Sequence, residues 1–397
     1  MTGGILIAVC ILILLAYIFD FSSKKTKIPS VILLLVLGWL VRQLTNLAGI
    51  NLPDLSSILP LLGTVGLILI VLEGSLELEL DKSKLPLLKK SIWAALLPLV
   101  VLSLILATAF WYFYPGYSFK VYLANTIPLG VISSAIAIPT AKNMNTHDRE
   151  FITYESSLSD ILGVIFFNFV VFNEVFGFLT FANFFVQIFI IFIISFISTI
   201  GLSFLLRKIE HHIKFAPIIV LIILIYTISK EYHLPALVFI LIFGLFLGNL
   251  EKIKQFGWME RMRPEILARE VDKFKDLNGE ATFLIRSLFF MLFGYLIENS
   301  DIANLQSLAW AAGITLVIFL VRYISLKVLR VKMFPLLSIA PRGLITILLF
   351  LTIPQAQQIP IVNRSMILQV VIITSLVMMT GTVSRKKPEI INPPENT

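Results

Sequence analysis

Two carboxylates and three hydroxyls crowd into six residues, Glu155-Ser156-Ser157-Leu158-Ser159-Asp160, at the head of an apolar run that continues Ile-Leu-Gly-Val-Ile-Phe-Phe. Hydrophobic residues make up 58% of the chain, so lipid is the expected surrounding of that run. A charge at the bilayer centre costs roughly 2.5–3.5 kcal/mol on insertion scales. A side chain kept there faces a partner or a water-filled cavity and usually has a task. In a helix, Ser156, Ser159, Asp160 and Gly163 share one face, and Glu155 lies one turn before Ser159. The set offers a titratable acid with hydroxyl oxygens beside it, and a glycine that lets another backbone come close.

The other charges at depth are few. Glu73 closes an apolar run in Val-Leu-Glu73-Gly-Ser-Leu-Glu-Leu-Glu-Leu. It reads either as a site carboxylate or cation lure on the cytoplasmic path, or as an interfacial Glu that snorkels. Arg322, in Phe-Leu-Val-Arg322-Tyr-Ile-Ser, and Arg342, in Ala340-Pro-Arg-Gly343, stay protonated and need an anion or backbone carbonyls nearby. With Glu73, Glu155 and Asp160 as the deep acids, the sensible pairing is Arg322 with Glu155, which leaves Asp160 free to titrate. The other reading of Arg322 is a side chain that snorkels to the cytoplasmic surface. Arg342 is expected to cap broken helix ends, and Arg286 is expected to snorkel. His147, His211, His212 and His233 all fall in loops without metal-ligand spacing, and no glycine-rich phosphate loop is present. A zinc protease and an ATP-driven pump are therefore disfavoured, and no resident cofactor is expected.

These residues need elements to position them. Mean hydropathy is +0.93 and charged residues make up only 14%, which marks an all-α, polytopic membrane protein. At about 20 residues per span, thirteen apolar runs emerge: 3–21, 30–48, 56–75, 91–114, 121–142, 152–173, 181–206, 215–229, 234–250, 280–298, 305–326, 335–353 and 362–383. Cys10 is the single cysteine, which excludes a disulfide framework. The first run lacks the basic start of a signal peptide and reads as a span. Of the 32 Lys and Arg residues, 25 fall in loops after odd-numbered spans and four on the other side. That asymmetry places the amino terminus outside and the carboxyl terminus in the cytoplasm. The net charge of +8 then belongs to loops facing anionic lipid, not to a nucleic-acid partner.

Thirteen spans divide as six, one and six, and the two groups of six start on opposite sides, which fits an inverted repeat. Under that repeat, span 5 corresponds to span 12. These are the two spans with internal breakers: Pro128-Leu-Gly130 with Ser133-Ser-Ala-Ile-Ala-Ile-Pro139, and Pro335 with Ala340-Pro-Arg-Gly343. Paired broken helices at corresponding positions point to a midplane ion site, although prolines can also merely kink membrane helices. Residues 251–279 read as a cytoplasmic amphipathic helix or as an ordinary loop. Residues 384–397 read as a short cytoplasmic tail with no appended regulatory domain.

Five segments together resemble the monovalent cation:proton antiporters of the sodium/proton exchanger superfamily. Thr26-Lys-Ile-Pro-Ser-Val-Ile-Leu-Leu-Leu-Val-Leu-Gly38 is similar to the second-span signature. Glu73-Gly-Ser-Leu-Glu-Leu resembles the Glu-Gly-Gly-Leu pattern of the sodium/proton branch, and Glu155-Ser-Ser-Leu-Ser-Asp160 its Glu-Ser-…-Asn-Asp motif. Arg322 and Arg342-Gly343 stand where that branch has arginines in spans 11 and 12. There are two departures. Ser159 replaces the Asn or Asp that usually precedes the essential acid, and Ser133-Ser134-Ala135-Ile136 stands where Thr-Asp-Pro is usual.

The resemblance implies a core of spans 4–6 and 11–13 (89–175 and 305–383) moving against an interface domain of spans 1–3 and 8–10 (1–80 and 215–300). Span 7 (181–207) links them, and the assembly is a homodimer in the plasma membrane, the inner membrane of a bacterial-type cell. The expected activity is electroneutral exchange of Na⁺ for H⁺ at Asp160. Ser156, the backbone at Ser133 and Ser134, Glu73, and water held by Ser159 would supply the remaining oxygens, which suit a hard cation. The alternatives are K⁺/H⁺ antiport on the same fold and an organic-anion symporter built on an inverted repeat.

Overall fold

In the absence of water, every backbone N–H and C=O must find an internal partner, and apolar runs of this length do so as helices. The computed structural model describes residues 2–26, 28–49, 56–78, 81–142, 144–173, 177–208, 215–232, 234, 236–250 and 264–383, and among these the regular structure is entirely helical. The helices in chain order are α1 (Thr2–Thr26), α2 (Ser30–Leu47), α3 (Ile58–Glu77), α4 (Leu85–Phe113), α5 (Phe119–Gly130), α6 (Ser134–Ala141) and α7 (Thr146–Phe172). They continue with α8 (Phe178–Lys208), α9 (Phe215–Glu231), α10 (Leu237–Gly248), α11 (Pro264–Tyr295), α12 (Leu305–Val328), α13 (Leu344–Thr352) and α14 (Arg364–Val383). Eight stretches among the described residues are long and apolar enough to cross a bilayer, counting α5 and α6 as one, and Cys10–Ser22 and Leu237–Gly248 are shorter apolar helices. The chain is thus a multi-pass membrane protein.

The boundaries have local causes. Asn145 caps α7, its side chain accepting from the Asp148 amide at 2.8 Å, and Asp148 adds a negative charge in the first turn. Asn304 caps α12 through the Ser307 amide in the same way. Span 5 breaks at 131–133, between α5 and α6. Span 12 is interrupted at the expected Ala340–Gly343 breaker: a single 3-10 turn, Leu336–Ser338, leads into non-helical backbone at 339–343, and only then does α13 begin. Residues 264–279, read as an amphipathic helix or a loop, are helical and run on without a break as the first half of the 32-residue α11. Residues 251–263 and the tail at 384–397 lie outside the described residues.

Packing uses glycine where backbones touch. A Cβ at Gly38 of α2 would meet the Met291 carbonyl of α11, and one at Gly294 of α11 would meet the Leu35 carbonyl of α2, so the contact is reciprocal. On the other face of α3, Gly244 and Gly248 of α10 sit against Ser75 and the Leu76 carbonyl. A second group joins α4 to α5, α7 and α12, and α12 to α14. Helix α3 also reaches this group, through Gly63 against Leu348 of α13 and Gly74 against Ser157 of α7. The outer face of α8 exposes Phe185, Phe189, Phe192 and Phe196, as a lipid-facing helix does.

Candidate ion site

Interrupting two helices inside a membrane leaves backbone donors and acceptors that water cannot serve. The two breaks meet: the Ser133 amide donates to the Pro341 carbonyl at 2.9 Å. Three further amides are taken by side chains of the long helices that follow each break. Ser159 Oγ of α7 accepts from the Ile132 amide at 2.9 Å, and Thr374 Oγ1 of α14 accepts from the Arg342 amide at 3.1 Å. Asp160 Oδ2 accepts from the Ser134 amide at 3.3 Å and from the Ser134 hydroxyl. Asp160 therefore sits at the amino end of α6, where the exposed amides and the helix dipole favour negative charge.

Three arginines donate to backbone carbonyls at and beside the breaks. Arg342 donates from Nε to the Leu129 carbonyl at 2.6 Å, in the last turn of α5, and from Nη1 to the Ala340 carbonyl at 2.9 Å. Arg322 donates from Nε to the Leu336 carbonyl at 2.8 Å, while Nη1 and Nη2 grip the two Glu155 oxygens at 2.8 and 3.0 Å. This bidentate pair is sealed from solvent, with Glu155 at 1% exposure and Arg322 at 2%. Arg286 of α11 donates from Nη1 to the Ala135 carbonyl at 3.2 Å and lies 3.6 Å from Asp20 Oδ1 of α1. Arg286 is 8% exposed, so the expected snorkelling residue is a buried link between helices.

Asp160, 1% exposed, keeps one oxygen uncommitted: Oδ1 has no hydrogen-bond partner among the described residues, and neither does Ser133 Oγ on the adjoining break. Gly343 of the second break packs directly on Ser133, where a Cβ would come within 2.6 Å of its Oγ. The expected hydroxyls are placed differently from one another. Ser134 binds the carboxylate directly. Ser159, expected to hold water, accepts the Ile132 amide instead. Ser156 turns back on its own helix, donating to the Ile152 carbonyl at 2.7 Å, as serines in helix interiors often do. Glu73 is half-buried and faces α11, its Oε1 3.9 Å from where a Cβ at Gly279 would lie. The sequence reading missed Thr374 and the part played by Arg286. Pro139, which leaves the Ala135 carbonyl without its helical donor, was the available signal for the latter.

The cap on Ile132 gives a direct prediction. Ser159→Ala leaves a buried amide without an acceptor, a loss of about 1–3 kcal/mol. Thermal unfolding of the detergent-solubilised protein should show a lower midpoint, and an unchanged midpoint would mean that the amide has another acceptor.

An all-helical membrane bundle in which two interrupted helices meet beside a buried, half-committed carboxylate has the layout of a secondary transporter. The chain belongs to the sodium/hydrogen exchanger family: residues 10–385 match the family described as the transmembrane part of the sodium/hydrogen exchangers. It is accordingly a cation/proton antiporter and not an enzyme. Among solved structures, the fold is similar to that of the sodium proton antiporter MjNhaP1 from Methanocaldococcus jannaschii, with a TM-score of 0.69 at 18% identity and 96% of each chain covered. An electron-microscopy map of the same antiporter gives a TM-score of 0.69 at 16% identity, covering 98% of this chain and 100% of that one. A search of curated protein sequences finds no significant match.

Proposed function

We propose that the protein exchanges Na⁺ for H⁺, one for one, by alternating access, with Asp160 as the group that carries either load. The observation that carries this reading is the Asp160 carboxylate itself, with Oδ2 held by Ser134 and Oδ1 uncommitted next to Ser133 Oγ. Ionised, it binds the cation with oxygens from Ser133 and the break backbone, and Ser156 and Glu73 lend oxygens along the path. Protonated, it returns H⁺. Either load neutralises the site, so the loaded core crosses a low-dielectric barrier that the bare anion cannot cross cheaply. The exchange needs no resident cofactor.

Electroneutrality follows from the charge count. Glu155 and Arg322 cancel one another in a sealed pair, leaving Asp160 as the acid that titrates at the break. The moving body comprises α4–α7 and α12–α14, the static body α1–α3 and α9–α11, and α8 links them, in a homodimer with the amino terminus outside and a cytoplasmic carboxyl terminus. Thirteen crossings related by an inverted repeat fit this layout. In support, each break has its amide capped by a hydroxyl from the next long helix, Ser159 for Ile132 and Thr374 for Arg342.

The test is reconstitution into proteoliposomes carrying a pH gradient, with Na⁺, Li⁺ and K⁺ added in turn. Na⁺ should dissipate the gradient, at a rate indifferent to a clamped membrane potential and without a steady current. A current that scales with transport would overturn the one-for-one stoichiometry, and a response to K⁺ alone would overturn the choice of Na⁺.

A further inference from the structure

Helix α6 holds Asp160 through its first residue, yet it is poorly built to hold anything. It has eight residues, Ser134–Ala141, and Pro139 lies inside it. Proline has no N–H, so the Ala135 carbonyl lacks the donor four residues on that an ordinary helix would supply. Ala135 is buried, which denies that carbonyl water as well. The donor it does receive comes from outside: Arg286 Nη1 of α11, at 3.2 Å. Arg286 is steadied in turn by Asp20 of α1, whose Oδ1 also accepts from Ser30 of α2 at 3.2 Å.

We infer that Arg286 is a positioning residue for cation uptake at Asp160: from α11 it supplies the hydrogen bond that Pro139 denies to the first turn of α6, and so fixes the Ser134 amide and hydroxyl that hold the carboxylate. Arg286 does not touch the cargo. It acts on the turn that does, and its charge and its anchors belong to α1, α2 and α11. On the functional reading above, those helices form the static body and α6 rides on the moving one. The bond therefore belongs to the conformation described here and breaks when the core shifts, so the site is most ordered, and binds its cation best, when α6 is docked on Arg286.

The test is a double-mutant cycle between positions 139 and 286, read as Na⁺-dependent proton flux in proteoliposomes. Arg286→Gln should raise the apparent KM for Na⁺ about tenfold while leaving Vmax within about twofold. Arg286→Lys, which keeps a charged donor, should fall between wild type and Gln. Pro139→Ala restores an amide at position 139 and gives the Ala135 carbonyl a partner within its own helix. In that background, Arg286→Gln should change KM by less than about threefold, the signature of two groups serving one atom. An equal KM shift in both backgrounds, or a loss confined to Vmax, overturns the inference. If the wild-type protein drives no cation-coupled proton flux, the exchange reading itself fails. The same cycle read as thermal midpoints in detergent then still tests the bond, and additive midpoint shifts overturn it.

Discussion

Asp160→Asn abolishes cation-coupled proton flux and leaves the protein folded. The amide is isosteric with the carboxyl group, and its carbonyl oxygen can still accept from the Ser134 amide and hydroxyl that now bind Oδ2. The NH₂ group takes the place of Oδ1, which has no partner among the described residues, so no existing bond is lost. Removing a charge from a site at 1% exposure offsets the cost of burying that NH₂. The variant should therefore melt within about 1–2 kcal/mol of wild type. Function should not survive. Asn neither ionises to hold a cation nor takes up a proton near neutral pH, and a site that can be neither loaded nor discharged exchanges nothing. Relief of a pH gradient by Na⁺ should drop to the level of empty liposomes, at least about a hundredfold below wild type. Wild-type rates from this variant would remove Asp160 from the centre of the mechanism. A variant that fails to fold would show that the carboxylate holds the break together, a role its replaceable hydrogen bonds do not suggest.

Much of this site could be read from residue types because lipid leaves so few options. A carboxylate or guanidinium at depth needs a partner, and with three deep acids the sensible pairing of Arg322 is Glu155, against a snorkelling alternative; the two are bonded in the structure. The breaks in spans 5 and 12 show as Pro and Gly inside apolar runs. Which atoms the breaks would orphan is harder to read, because that depends on how two segments some 200 residues apart meet, as Leu129 and Arg342 do. Ser156 and Ser159 illustrate the limit. Both lie on the face of Asp160 by helical spacing, yet one bonds back to its own helix and the other caps a backbone amide across the break. Periodicity fixes a face, not the target of a hydroxyl. Arg286 was misplaced for a different reason. Starting the span at 280 puts it near a helix end, but α11 begins at Pro264, so Arg286 lies well inside a long helix. The charged residues at 269–280 disguised that continuity, since half of α11 is polar enough to read as a surface segment.

The ion pair yields the other large effect, on stability. Arg322→Met removes a guanidinium that makes three short bonds in one place, two to Glu155 and one to the Leu336 carbonyl. Glu155 is left charged, unpaired and sealed from solvent, a state that typically costs about 3–5 kcal/mol. The Leu336 carbonyl loses one of its two donors but keeps the Ile339 amide at 3.2 Å, a further loss of about 1 kcal/mol. Against the marginal stability of folded proteins, roughly 5–15 kcal/mol, the single variant should lose most of its folded yield or melt far below wild type. Glu155→Leu together with Arg322→Met should recover the larger part of that loss, because apolar residues of similar volume often replace a buried pair at little cost. What stays missing is the second donor to Leu336, and the double variant should fall short of wild type by about that one bond. Exchange should return with the fold, since neither charge meets the cargo. The check is a pair of measurements on each variant, the thermal midpoint in detergent and Na⁺-driven relief of a pH gradient in liposomes. A double variant as unstable as Arg322→Met would mean that Arg322 acts on the broken span and not on Glu155. A stable double variant without exchange would mean that the paired charges shape the field at Asp160, and the one-for-one charge count would then have to include them.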